Sequence, residues 1–402
     1  MRISTNTLYQ AGSAKLSELQ AGLLKTQQQV AAGRRMLTPA DDPVGAARAL
    51  EVTQSQSVNT QYGVNRANAR DSLAMEESVL QSVTGLIQDL QTSVVEAGNA
   101  SLDDTQRKFL ASELSGRFNE LMGLANSRDN TGNYLFAGFQ STSQPFVQTA
   151  TGANYAGDQG QRLLQVDATR QMAMSDAGDA VFMHKTGNGS FVTAATGTNT
   201  GNGVIDPGSI TNTTLLTGHN YSLTFTVAAG VTTYDVVDTT TATTVSSGNP
   251  YTSGQSIGFD GLQFDIKGAP ANGDSFTVAP SNRQDIFTTL RNLINVLNTP
   301  ASSDAGKAAL TNGLNKASMD LAQGLDNVLT VRATTGARLK ELDSLDNLGS
   351  DKDLQFSSTL SGLQDLDYNK AITQLTQQSV TLQAAQQSFM KITGLSLFDY
   401  LR

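Results

Sequence analysis

At 402 residues the chain is long enough for more than one domain, yet hydrophobic residues make up only 38% and Trp is absent. A formal charge of −9 argues against general binding to a nucleic-acid backbone, which needs clustered Lys and Arg. Cys is absent, so disulfides and thiolate-held zinc are excluded, and His184 and His219 are the sole imidazoles.

The opening MRISTNTLYQAGSAKL lacks the apolar stretch of a cleaved signal peptide, and no run of 18 apolar residues predicts a membrane span. Tyr9, Leu16, Leu23, Val30 and Leu37 recur every seven residues, with Leu19 on the companion position. That is the seam of a coiled coil. Gly12, Thr26 and Gly33 share the companion position and read as weak points, and Gly33 with Thr38-Pro39 predicts the helix stop.

Asp42-Pro43 reads as N-cap and first residue of a second helix. Its apolar pattern, from Leu50 and Val58 through Leu73, Leu80, Ile87 and Val94, reaches about Gly98. A third helix is expected from Asp103 to Arg128, with Leu110, Leu114, Phe118 and Leu121 on one face. Short strands are expected between Tyr134 and Lys185.

The composition then changes. From Thr186 to Asn282 there is one Lys or Arg, Lys267, and no Glu. Alternation of period two appears at Tyr221/Leu223/Phe225/Val227, Tyr234/Val236, Ile257/Phe259, Leu262/Phe264/Ile266 and Phe276/Val278. Asp260-Gly261 predicts a two-residue hairpin, and Asp206-Pro207-Gly208, Asn249-Pro250 and Asn272-Gly273 predict further turns.

Helical spacing resumes at Gln284–Leu297 and again from Ser303, interrupted at Gly349. The last helix repeats the seven-residue spacing through Tyr368, Leu375, Leu382 and Phe389, with Ala385 and Ile392 on the companion positions. Two matching seams at opposite ends of one chain most simply pair with each other. The expected fold is α+β: an elongated helical rod with paired N- and C-terminal coiled-coil helices and an inserted antiparallel β domain. The divisions are 1–40 with 353–402, 41–185 with 283–352, and 186–282.

The candidate functional residues are the seam itself: Tyr9, Leu16, Leu19, Leu23, Val30, Tyr368, Leu375, Leu382, Phe389 and Ile392. So sparse a seam is marginal alone and gains order when neighbouring copies cover its outer faces, which is how a polymerisation element behaves. Other readings are plainer. Asp41-Asp42 caps a helix, His184 and His219 are surface histidines, and Arg34-Arg35 is a solvated pair too small for nucleic acid. No GxSxG, SxxK, GxGxxG or phosphate-loop pattern occurs, so no catalytic residue, cofactor or metal is expected.

Several segments resemble known proteins. MRISTNTLYQAG, AAGRRMLTPADDPVGAARA at 31–49 and VLTVRATTGARLKEL at 328–342 resemble the flagellin superfamily. The ending QAAQQSFMKITGLSLFDYLR, and GNYLFAG at 132–138 before Gln144-Pro145-Phe146, resemble its hook–filament junction family (hook-associated protein 3). The central YTSGQSIGFDGLQFDIKGAPANGDSFTVAP is similar to variable domains of hook-associated proteins. The resemblance implies a structural, non-enzymatic subunit of the bacterial flagellum on which flagellin polymerises. It implies self-association in a ring, another hook-associated protein on the hook side, and flagellin on the filament side. A cytosolic chaperone would hold the C-terminal helix, and export would run through the flagellar type III apparatus without a cleaved signal peptide. The paired termini would lie inward and the variable domain outward. The alternatives are flagellin itself, the filament subunit, or an adhesin or enzyme housed in the β domain.

Overall fold

The computed structural model describes residues 5–129 and 131–394. The first four residues and the last eight of the closing motif lie outside the described residues. Helix α1 (Thr5–Ala32) stops where Gly33 takes φ +64, a left-handed value that glycine adopts without strain. Helix α2 (Pro43–Ala97) starts where Asp42 Oδ1 accepts the Gly45 N–H at 2.9 Å, and Asp103 begins α3 (Asp104–Ala125) through a capping box with Gln106.

Two small hairpins follow, β1 (Phe146–Gln148) with β2 (Ala153–Tyr155) and β3 (Leu163–Asp167) with β4 (Arg170–Ala173). One turn of helix, α4 (Gly178–Phe182), leads to β5 (Met183–Lys185). The inserted region contains β6 (Phe191–Ala195), β7 (Val204–Ile205), β8 (Ser209–Ile210), β9 (Tyr221–Ala228), β10 (Val231–Asp238), β11 (Thr243–Pro250), β12 (Ser256–Phe259), β13 (Leu262–Lys267) and β14 (Ser275–Pro280). The chain ends in β15 (Arg283–Asp285), α5 (Ile286–Asn298), α6 (Asp304–Gln364) and α7 (Tyr368–Gly394).

The chain forms two compact units, Met1–Val64 with Ser344–Arg402 and Asn65–Asp343. The second holds both cores. In its helical part Leu80, Ile87, Leu90, Leu121, Leu290 and Leu321 are fully buried around Phe118, Phe146, Phe182 and Phe287. These four rings meet in four pairs at centroid distances of 5.1–5.9 Å, the range in which aromatic pairs attract beyond their area burial.

The β insertion has its own core. An antiparallel sheet in the order β11-β10-β9-β14-β6 packs with β12-β13-β7 over Leu223, Phe225, Phe264, Ile266 and Phe276. The expected alternation places Tyr221, Leu223 and Phe225 inward. Asp260 and Gly261 both take positive φ between Phe259 and Leu262, a tight hairpin of the predicted kind. β5 pairs with β15 (His184 opposite Gln284), so the chain enters and leaves the insertion side by side.

Four expectations are corrected. Gly349 does not interrupt the helix: α6 runs through it, and the buried glycine lets Asn59 Nδ2 bond its carbonyl at 2.8 Å. Asn249-Pro250 is no turn but the end of edge strand β11, where proline's missing N–H does no harm. His184 is not a surface residue. It is buried, with Nε2 3.0 Å from Thr289 Oγ1 and Nδ1 2.9 Å from the Lys185 carbonyl, and burial lowers its pKa. Leu50 and Val58, which open the apolar pattern expected to face the core, are exposed because the first part of α2 lies in the unit without a large core.

Candidate assembly interface

In the first unit α1 and α7 pack against each other, as the matched seams predict, and their end contacts make the pair antiparallel. Near one end the Tyr9 and Phe389 rings lie 5.4 Å apart, and at the other Gly33 faces Tyr368. Leu16, Leu19, Leu23, Val30, Leu375, Leu382 and Phe389 are half-buried along this line. Tyr9, Tyr368 and Ile392 remain 55%, 51% and 59% exposed. Leu37 lies beyond the end of α1, in the turn before α2.

Two of the positions read as weak points face large side chains of α7. A Cβ at Gly12 would stand 2.7 Å from the Phe389 ring, and one at Gly33 would stand 2.8 Å from the Tyr368 hydroxyl. Thr26 is buried with its hydroxyl donating to the Gly22 carbonyl at 3.1 Å. Small residues here admit large partners, so the glycines are complementary packing and not gaps in it.

A clasp missed in the sequence secures the Gly33 end. The Arg35 N–H donates to the Gln364 carbonyl at 2.8 Å, and Leu366 N–H donates to the Gly33 carbonyl at 3.1 Å. Arg35 Nη2 adds a bond to the Leu363 carbonyl at 2.9 Å, so this arginine is not simply solvated. Asp41 Oδ2 accepts the Leu37 and Thr38 N–H groups, both at 2.9 Å, while its other oxygen meets Lys25 Nζ at 2.7 Å. The Lys25 bond, then the two backbone bonds, pull the Asp41 pKa down to about 2. Asp41 and Asp42 thus serve backbone N–H groups. The one signal available was the polar turn RRMLTPADD between two periodic segments.

Little apolar surface is sheltered in this unit. Among the described residues, Ala49 and Ala371 are its only buried hydrophobic side chains. By contrast Leu24, Leu50, Leu354 and Val380 are 57–71% exposed. From Ala371 to Met390 the last helix carries no Asp, Glu, Lys or Arg.

Elsewhere, no group of three or more His, Asp or Glu side chains among the described residues is arranged to hold a metal ion. His219, partly exposed, bonds Asp238 Oδ2 at 2.6 Å. Among the described residues no helix is long and apolar enough to cross a membrane.

Residues 3–141 match the bacterial flagellin N-terminal helical region, and 194–280 match the flagellar hook-associated protein 1 D2-like domain. The chain is 31% identical over 400 residues to flagellar hook-associated protein 3 of Escherichia coli K12, covering 99% of each. A crystal structure of the flagellar junction protein FlgL from Legionella pneumophila superposes with a TM-score of 0.70 at 32% identity, covering 79% of this chain and all of that one. Flagellin of Listeria monocytogenes matches more distantly, 24% identical over 44% of this chain and 59% of its own length. The chain belongs to the flagellar hook-associated protein 3 family.

Proposed function

We propose that this chain is a structural subunit of the bacterial flagellum, an adaptor at the hook–filament junction on which flagellin polymerises. The observation that carries this reading is the unfinished first unit, which pairs α1 with α7 yet buries only two alanines among its described hydrophobic side chains. Neighbouring subunits supply the missing cover. The full-length similarity to junction proteins, against a partial one to flagellin, favours the junction over the filament itself.

The seam residues Tyr9, Leu16, Leu19, Leu23, Val30, Tyr368, Leu375, Leu382, Phe389 and Ile392 are the assembly elements. Residues 1–40 with 353–402 polymerise, 41–185 with 283–352 form the body, and 186–282 are the surface domain. The subunit self-associates in a ring, meets another hook-associated protein on one side and flagellin on the other, and takes no cofactor. It works by packing and not by catalysis. It leaves the cell through the flagellar type III apparatus without a cleaved signal peptide, its last helix held beforehand by a cytosolic chaperone.

Electron microscopy of cells lacking the protein tests the reading. Hooks without filaments, with flagellin free in the medium, are expected. Normal filaments would overturn it, and long filaments grown from the purified chain alone would favour flagellin.

A further inference from the structure

The helical part of the second unit buries a carboxyl group that belongs to neither seam. Glu76, on α2, has no exposed surface. Its Oε1 accepts the Asp176 backbone N–H at 3.0 Å, while Oε2 is buried without a hydrogen-bond partner. The neighbouring Asp176 carboxylate is held by Arg338 of α6 through bonds of 2.9 and 3.0 Å, and by Gln161 Nε2 at 2.7 Å.

The charged groups facing Glu76 are Asp176 from the segment between β4 and α4, Arg338 from α6 and Glu77 from α2. Arg338 is committed to Asp176, and Glu77 is held by Arg332 through bonds of 3.0 and 2.6 Å. An ionised Glu76 would therefore add an uncompensated negative charge beside a second carboxylate, in a site closed to water. Such a group keeps its proton. Burial first, and then the Asp176 charge, push the Glu76 pKa up to about 8.

We propose that Glu76 is a proton-operated latch: as a neutral acid it stays buried against the 174–177 segment, and loss of its proton, which puts a charge beside the Asp176 carboxylate in a closed site, drives that segment off α2. The segment runs directly into α4 and β5, the strand that pairs with β15 where the β insertion joins the helical body. Opening it loosens the support of the insertion. The sign follows from linkage: a folded-state pKa above the unfolded one gives stability that is full below the ordinary carboxylate range and is lost as pH rises through about 8.

Amide exchange of residues 174–177 in the full chain, corrected for intrinsic base catalysis, tests this at pH 6 and pH 9. About a hundredfold more opening is expected at the higher pH, because opening returns the acid to the ordinary carboxylate range and each pH unit between 6 and about 8 favours the open form tenfold. Glu76→Gln, which stays neutral, should show no such change. Equal pH responses in the two proteins would overturn the proposal. Should Glu76→Gln fail to fold, carbon NMR of the side-chain carboxyl in the native chain decides: titration near 8 supports the latch, and titration in the ordinary carboxylate range refutes it.

Discussion

Replacing Leu382 with Asp separates assembly from folding. Leu382 is half-buried beside α1 in a unit whose outer faces lie open. In the isolated chain the new carboxylate turns toward water, so the loss is the share of leucine burial already gained, about 1 kcal/mol. On the proposed assembly neighbouring subunits exclude water from this face, and an unpaired buried charge there costs about 4 kcal/mol. By the usual conversion that weakens association roughly a thousandfold. The main unfolding transition belongs to the cores around Phe287 and Phe225, in the other unit, and should be almost unchanged. Calorimetry of the purified chain, with motility and electron microscopy of complemented cells, reads both halves. Folded, exported protein that fails to hold a filament is expected. Lys15→Ala is the matched control, because the Lys15–Glu18 pair has side chains 63% and 68% exposed. Normal filaments from Leu382→Asp would mean that subunits do not hold each other through this seam.

Other outcomes follow from the same geometry. Gly33→Ala places a Cβ against Tyr368 and forces an unfavourable left-handed backbone, so it should cost about 1–3 kcal/mol locally, read as faster amide exchange at Leu366. Asp41 has its pKa lowered to about 2, so its contribution to the clasp is full above the ordinary carboxylate pKa and is lost as pH falls through about 2. Amide exchange at Leu37 and Thr38 should therefore accelerate on acidification, and Asp41→Asn should abolish that dependence. Asn312 donates to the Gly203 carbonyl and accepts the Ile205 N–H, both at 3.0 Å, so Asn312→Ala should lower stability by about 1–3 kcal/mol in thermal unfolding.

Much of this molecule was written locally. The seven-residue spacing of Leu16, Leu23, Leu375 and Leu382, the Asp103–Gln106 capping box and the Asp260-Gly261 hairpin each depend on a few neighbouring residues and their own φ preferences. Such signals survive without knowledge of the rest of the fold. The remainder required partners distant in sequence. β11 reads TTVSSGNP, with no apolar alternation, and is a strand only because β10 offers it a backbone edge. His184 looked like a loop residue until α5 covered it with Thr289, 105 positions away. Arg35 is fastened by a carbonyl 328 positions on, and Glu76 meets the backbone of Asp176, 100 positions on, whose own carboxylate is taken by Arg338 and Gln161. The glycines at 12 and 33 taught the same lesson in reverse. A missing side chain weakens a seam on paper, but whether it is a void or a seat depends on the ring that the opposing helix brings to it.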